Sequence, residues 1–161
     1  MVWYISIMKK IALTKGFYAI VDDGVFDKLS KFNWHYSVGY ACRDVWKKGK
    51  NKRLMMHRLI IGAKQGEEVD HKNGDRLDNR GDNLRFCTRS QNNFNQQISS
   101  RNKSGYKGVS WDKGNKKWRS QAHINDKAFN LGRYDTKKEA ALAYNNFAIK
   151  HFGEFARLNL I

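Results

Sequence analysis

DHKNGDRLDNRGDNLRFCTRSQN, residues 70–92, is the stretch whose reading decides the fold. Asp70 and His71 stand side by side at its start. A loop rich in Asn, Asp and Gly follows, and these residues make turns. Leu84-Arg85-Phe86-Cys87 is a short apolar run, and Thr88-Arg89-Ser90-Gln91 has the spacing of a capping box with Thr88 as N-cap. Asn92 then falls about one turn into a helix. After Asp70 and His71 the order is loop, strand, helix. It gathers a carboxylate, an imidazole and an amide oxygen near one point.

That set of groups has a chemistry. A hard divalent cation takes oxygen ligands, and Asp70 and Asn92 offer one charged and one neutral oxygen. A neutral imidazole near pH 7 takes a proton from an attacking water, so His71 is the candidate general base. The helix start adds backbone donors for phosphate. The reading is metal-assisted phosphodiester hydrolysis.

Composition agrees on the partner. Among 161 residues, 31 Lys and Arg outnumber 15 Asp and Glu, a net charge of +16. Such an excess implies a polyanion, and double-stranded DNA is the expected partner. Five Trp, seven Tyr and nine Phe supply a core, which excludes a disordered basic tail. Cys42 and Cys87 belong to no CxxC pair, so no structural zinc is expected. The start, MVWYISIMKKIAL, lacks the order of a secretory leader, and no run approaches the roughly 20 apolar residues of a membrane span. The expected place is the cytoplasm or nucleoid of a bacterial host.

Working outward, residues 1–53 read as a β-rich N-terminal region. Phe17 to Val21 is a strand candidate ended by Asp22-Asp23-Gly24, and Leu54 to Ile61 is a strand or short helix. Residues 43–53 (RDVWKKGKNKR) form a basic hairpin tip whose Lys47, Lys48, Lys50, Lys52 and Arg53 are candidate DNA contacts. The charge then reverses: Glu67, Glu68, Asp70, Asp75, Asp78 and Asp82 lie within sixteen residues. An acidic island in a basic chain suits a cation held against phosphate. Asp75, Asp78 and Asp82 read instead as a solvated turn.

Residues 98–104 read as a linker, and residues 105–161 as a second unit. Trp118, Ser120, Ala122 and Ile124 share one face of a strand, while Arg119, Gln121, His123 and Asn125 share the other. That alternation marks an antiparallel sheet with one wet face. Asn125-Asp126-Lys127 reads as a turn into a third strand. Thr136-Lys137-Lys138-Glu139 is a capping box opening a helix, which Gly153 closes. The fold class is α+β.

Two resemblances sharpen this reading. Val69-Asp70-His71-Lys72-Asn73-Gly74-Asp75, Asp78-Asn79-Arg80, Asp82-Asn83-Leu84-Arg85 and Ser90-Gln91-Asn92-Asn93 resemble HNH endonucleases, and above all the homing type of phages and bacteria. The resemblance covers residues 54–97 and implies a ββα-metal nuclease core. It implies His71 as base, Asp70 and Asn92 as metal ligands, and Asn83 as the residue that braces the loop and orients His71. Mg²⁺ is the implied cation, with Mn²⁺ as the alternative. Met56-His57-Arg58-Leu59-Ile60 also matches, which gives His57, Arg58 and Arg85 supporting or phosphate-contacting roles.

The second resemblance covers residues 104–160. Tyr106-Lys107-Gly108-Val109, Lys117-Trp118, Leu131-Gly132-Arg133-Tyr134 and Glu139 to Tyr144 resemble the DNA-binding domain of plant APETALA and ethylene-response factors. It implies a sheet laid in the major groove, with Lys107, Ser110, Arg119, Gln121, His123, Asn130 and Arg133 toward DNA. Together the two imply a site-recognising DNA endonuclease, phage- or mobile-element-encoded, acting as a monomer or a transient dimer on DNA. The alternative is a non-catalytic DNA-binding regulator derived from such a nuclease.

Overall fold

The computed structural model describes residues 8–47, 49–125 and 127–161. Lys48, a candidate DNA contact, and Asp126, in the expected turn, lie outside the described residues. The protein is α+β and divides into two compact units at Cys87/Thr88. Among the described residues the strands pair antiparallel, with one isolated parallel bridge between Ile20 and Asp78.

In the first unit, β1 (Met8–Ala12) and β2 (Tyr18–Asp22) form a hairpin. α1 (Asp23–Leu29) follows at once. The expected turn at Asp22-Asp23-Gly24 is therefore a helix start, with Asp23 in the first turn, where a carboxylate complements the helix dipole. β3 (His35–Ser37), β4 (Tyr40–Lys47) and β5 (Lys50–Met55) make a three-stranded sheet with β4 central. α2 (Met56–Ile61) continues directly from β5, so the apolar run from Leu54 is divided between strand and helix. Gly62, with φ +70°, ends α2 in the left-handed region that glycine adopts without strain. Ile11, Leu13, Ala19, Val21, Leu29, Trp34, Ala41 and Met56 are the core, and the Trp34 indole donates to the Leu29 carbonyl (2.8 Å). β6 (Glu68–His71) and β7 (Leu84–Cys87) form the hairpin whose long loop carries residues 72–83.

The second unit opens with α3 (Arg89–Asn95), capped by Thr88 and Gln91 in the reciprocal box the sequence spells. Residues 102–106 form a tight turn in which the Asn102 side chain accepts from the Ser104 and Gly105 amides. β8 (Val109–Asp112), β9 (Lys117–Ile124) and β10 (Lys127–Tyr134) form a sheet with β9 central. α4 (Lys137–Phe152), capped by Thr136 and Glu139, packs its Ala140 and Ala141 against Val109 and Trp118. The Tyr144 ring lies on Gly108, which leaves no room there for a Cβ. The buried stripe of α4 is Ala140, Ala141, Tyr144, Asn145, Ala148 and Phe152. Within it Asn145 turns inward and exchanges two hydrogen bonds with the Asn159 backbone (2.8 and 2.9 Å).

Candidate nuclease site and DNA-facing surfaces

The β6–β7 register sets the first cluster. Asp70 pairs with Arg85 and His71 with Leu84, so Asp70 and Arg85 share a face. Arg85 Nε and Nη2 both donate to Asp70 Oδ2 (2.9 and 2.8 Å). Asp70 is 5% exposed and His71 4% exposed. A carboxylate this buried needs a cation beside it, and Arg85 is one.

The loop between the strands is tied to itself and to β2. Asn83 Nδ2 donates to the Asp78 carbonyl (2.7 Å), and Asn83 Oδ1 accepts from the Asn73 amide (3.0 Å). One side chain thus spans both limbs of the loop. The Ile20 amide donates to Leu77 O and the Asn79 amide to Ile20 O (both 2.8 Å), which pins the loop on β2. Asp78, expected to be solvated, is buried and forked with Arg80 Nε and Nη2 (2.8 and 2.6 Å), a partner the acid count alone did not reveal.

Asn79 is the residue that sequence reasoning missed. Its Nδ2 donates to Leu77 O (3.0 Å), which fixes the amide and turns Oδ1 toward His71 Nε2 (3.4 Å). An acceptor at Nε2 favours the tautomer with hydrogen on that nitrogen. Nδ1 is then the basic nitrogen. Burial holds the imidazole below its ordinary pKa, against the raising effects of Asn79 and of Asp70, so the ring is neutral at pH 7. The only sign in the sequence was the Asp78-Asn79-Arg80 triplet, which carries no role by itself.

His57, from α2, meets His71 edge-on with ring centroids 4.9 Å apart, and Tyr40 lies 5.2 Å from His57 and 6.1 Å from His71. His57 is 6% exposed, its Nδ1 has no hydrogen-bond partner, and burial pushes its pKa down to about 3. It walls the His71 ring as a neutral aromatic. Arg58 is not at the site: its Nη1 and Nη2 donate to Glu67 O and Lys64 O (2.5 and 2.6 Å), closing the loop after α2.

Asn92 belongs to the second unit, in α3, where its amide donates to Thr88 O (2.9 Å). Among the described residues no three His, Cys, Asp or Glu side chains gather as a metal cage. Asp70 and Asn92 are oxygen donors of the kind a hard cation takes, and such a cation commonly keeps waters and substrate phosphate as its other ligands. Each oxygen donor, taken by itself, is of a type that a divalent metal accepts.

The basic hairpin is β4–β5. Lys47, Lys50, Lys52 and Arg53 are exposed on it, and Arg53 Nε donates to Asp44 Oδ1 (3.1 Å). In the second unit, the sheet face away from α4 carries Ser110, Arg119 and Arg133 in one row across three strands, with Gln121 beside Asn130. His123 follows on β9 and lines a cleft of about 500 Å³ with Asn125, Arg89 and Asn93. Arg133 Nε is held by Asp112 (2.8 Å).

Lys107 is not on that face. Its Nζ donates to Asn93, Phe94 and Gln96 carbonyls (3.3, 2.5 and 2.8 Å), capping the end of α3. Burial, with Arg157 nearby, pushes its pKa down to about 8. Expected as a DNA contact, it is a helix-terminal donor, since open carbonyls at a helix end attract a cation.

Among the described residues no helix is long and apolar enough to cross a membrane. The HNH endonuclease family model matches residues 55–94, and that of the AP2 domain matches residues 104–154. An uncharacterized HNH endonuclease of Acanthamoeba polyphaga mimivirus is 32% identical over 158 residues, covering 91% of this chain and 77% of that protein. Protein 3.8 of Escherichia phage T7 is 33% identical over 93 residues, covering 58% of this chain and 76% of that protein.

Proposed function

The chain belongs to the HNH endonucleases and carries an AP2-type domain, and on that premise we propose that it is a metal-dependent, site-recognising DNA endonuclease of the homing type. Its nuclease region is residues 54–97 and its DNA-binding domain residues 105–161, joined by 98–104. One observation carries the mechanism. The Asn79 amide, fixed by Leu77 O, faces His71 Nε2 and leaves Nδ1 as the base.

In the proposed step, His71 Nδ1 takes a proton as water attacks phosphorus. The bond to the 3′ oxygen breaks, and that oxygen takes a proton from solvent. The products are a 5′ phosphate and a 3′ hydroxyl. Asp70 and Asn92 are the candidate oxygen ligands for a divalent cation, Mg²⁺ or Mn²⁺, which when bound would stabilise charge on the phosphate and the leaving oxygen. Arg85, with Nε and Nη2 on Asp70 Oδ2, orients the carboxylate. Asn83 holds the loop from which Asn79 reaches His71. The wet sheet face, with Ser110, Arg119, Gln121, His123, Asn130 and Arg133, supplies site recognition in the major groove. One active site per chain nicks one strand, and paired chains cut both.

The test is nicking of supercoiled plasmid over a Mg²⁺ and Mn²⁺ titration, with an EDTA arm and an Asp70→Ala variant. Nicking that needs metal and is lost or shifted to higher metal in Asp70→Ala is the expected result. Full nicking in EDTA would reject the metal-dependent reading. No nicking under any metal, with DNA binding retained, would leave a regulator derived from a nuclease.

A further inference from the structure

The β4–β5 hairpin holds an aromatic residue that the nuclease chemistry does not use. β3 pairs with β4 only through Tyr40, Ala41 and Cys42. From Arg43 onward the sheet is two strands wide, with Asp44 opposite Arg53, Val45 opposite Lys52, Trp46 opposite Asn51 and Lys47 opposite Lys50. Paired residues share a face and successive pairs alternate. One face of the ribbon therefore carries Asp44, Arg53, Trp46 and Asn51. The other carries Val45, Lys52, Lys47 and Lys50.

Trp46 is 75% exposed. Neither its ring nor the Asn51 amide has a side-chain partner among the described residues. Single exposed apolar residues are ordinary on protein surfaces. Trp46 differs in its setting: it lies on β4 beside the free Asn51 amide, on the face opposite the lysines, on a projection too narrow to bury it. At about 3.3 Å per residue the two-stranded part extends roughly 15 Å. A ribbon of that kind enters the major groove of DNA, about 12 Å wide.

We propose that the β4–β5 ribbon is a second DNA reader, which places Trp46 and Asn51 against an A·T pair in the major groove and the Lys47, Lys50 and Lys52 arms on flanking phosphates. The two faces divide the work. An asparagine amide matches the N6 donor and N7 acceptor of adenine, and an apolar surface matches the thymine methyl group in the same groove. Lysines are long enough to reach past the ribbon edge while their ammonium groups stay at the phosphates. Arg53, forked with Asp44, stiffens the base of the ribbon. The inference rests on the reading of the chain as a DNA enzyme, and goes beyond it in giving the N-terminal region base readout of its own.

The test is binding, with the full chain carrying His71→Ala so that the duplex stays intact. The probes are duplexes selected by this chain from a random-sequence pool, and the same duplexes with deoxyuridine replacing thymidine. Trp46→Ala should weaken binding by about tenfold or more, as removal of a central aromatic anchor does. Its log–log salt slope should stay unchanged, and Trp46→Phe should recover most of the loss. Deoxyuridine should weaken the parent but leave the affinity of Trp46→Ala unaltered. Asn51→Ala should relax base preference at one A·T position. Lys50→Ala and Lys52→Ala should each flatten the salt slope by about 0.9. Equal affinity of parent and Trp46→Ala, or an equal deoxyuridine effect in both, overturns the proposal, as does absence of DNA binding at low salt. Normal ribbon-dependent binding by a wild-type chain that never nicks would instead overturn the nuclease reading alone.

Discussion

At His71 the neighbour that matters is a neutral amide. Asn79 accepts from Nε2 without adding charge, so the ring keeps the low pKa that burial gives it. Cleavage needs the neutral imidazole and is lost as pH falls through its pKa. A lowered pKa moves that acid limb below the ordinary histidine value near 6.5. Asn79→Asp keeps the acceptor but adds a charge that stabilises the imidazolium. The pH–rate profile of plasmid nicking should then show its acid limb raised by roughly one to three units. An unmoved limb would mean that Asn79 does not face the working base. Asp70, His71 and Asn83 stand out as candidates in the sequence because their types and order carry chemistry. Asn79 does not, because its role depends on Leu77 O and on a β2 attachment that no local pattern encodes.

Elements show where local reading succeeds and where it stops. Both capping boxes, at Thr88 and Thr136, form as spelled, because the motif is satisfied within four residues. The period-two faces of β9 hold for the same reason. The partners of Lys107 and Arg58 were not legible locally because they are chosen by distant carbonyls: those of α3 for Lys107, and of the loop after α2 for Arg58. Lys107→Met should cost the second unit about 1–3 kcal/mol in thermal or urea unfolding. It should leave the salt slope of DNA binding unchanged, whereas loss of a phosphate-binding lysine would lower it. Gly108→Ala should cost about 2 kcal/mol or more, since φ is +75° and the new Cβ would strike the Tyr144 ring. His57 adds a pH dependence to the first unit. Its folded pKa, about 3, lies below the unfolded value near 6.5. The unfolded chain binds more protons between those values, so stability falls as pH drops from 6.5 toward 3. His57→Phe should flatten that decline in a pH series of unfolding curves.

For the whole molecule, charge and chemistry are separated along the chain. Most of the net +16 lies in the β4–β5 ribbon and the second unit, while six of fifteen acids sit between Glu67 and Asp82. The sequence disclosed this arrangement directly, because charge counts need no fold. It did not disclose which basic residues are spent internally. Arg119 and Arg133 remain on the wet sheet face. Their joint replacement by alanine should weaken binding and reduce its log–log salt slope by about 0.9 for each phosphate no longer neutralised. If slope and affinity both stay put, that face is not a DNA surface. The nuclease reading as a whole turns on His71. The decisive measurement is the single-turnover nicking rate of the full chain with Mg²⁺, wild type against His71→Ala, with binding measured on the same duplex. A loss of roughly 10²- to 10⁴-fold with binding intact is predicted. His71→Ala cutting at the wild-type rate would contradict the assignment of His71 as the base.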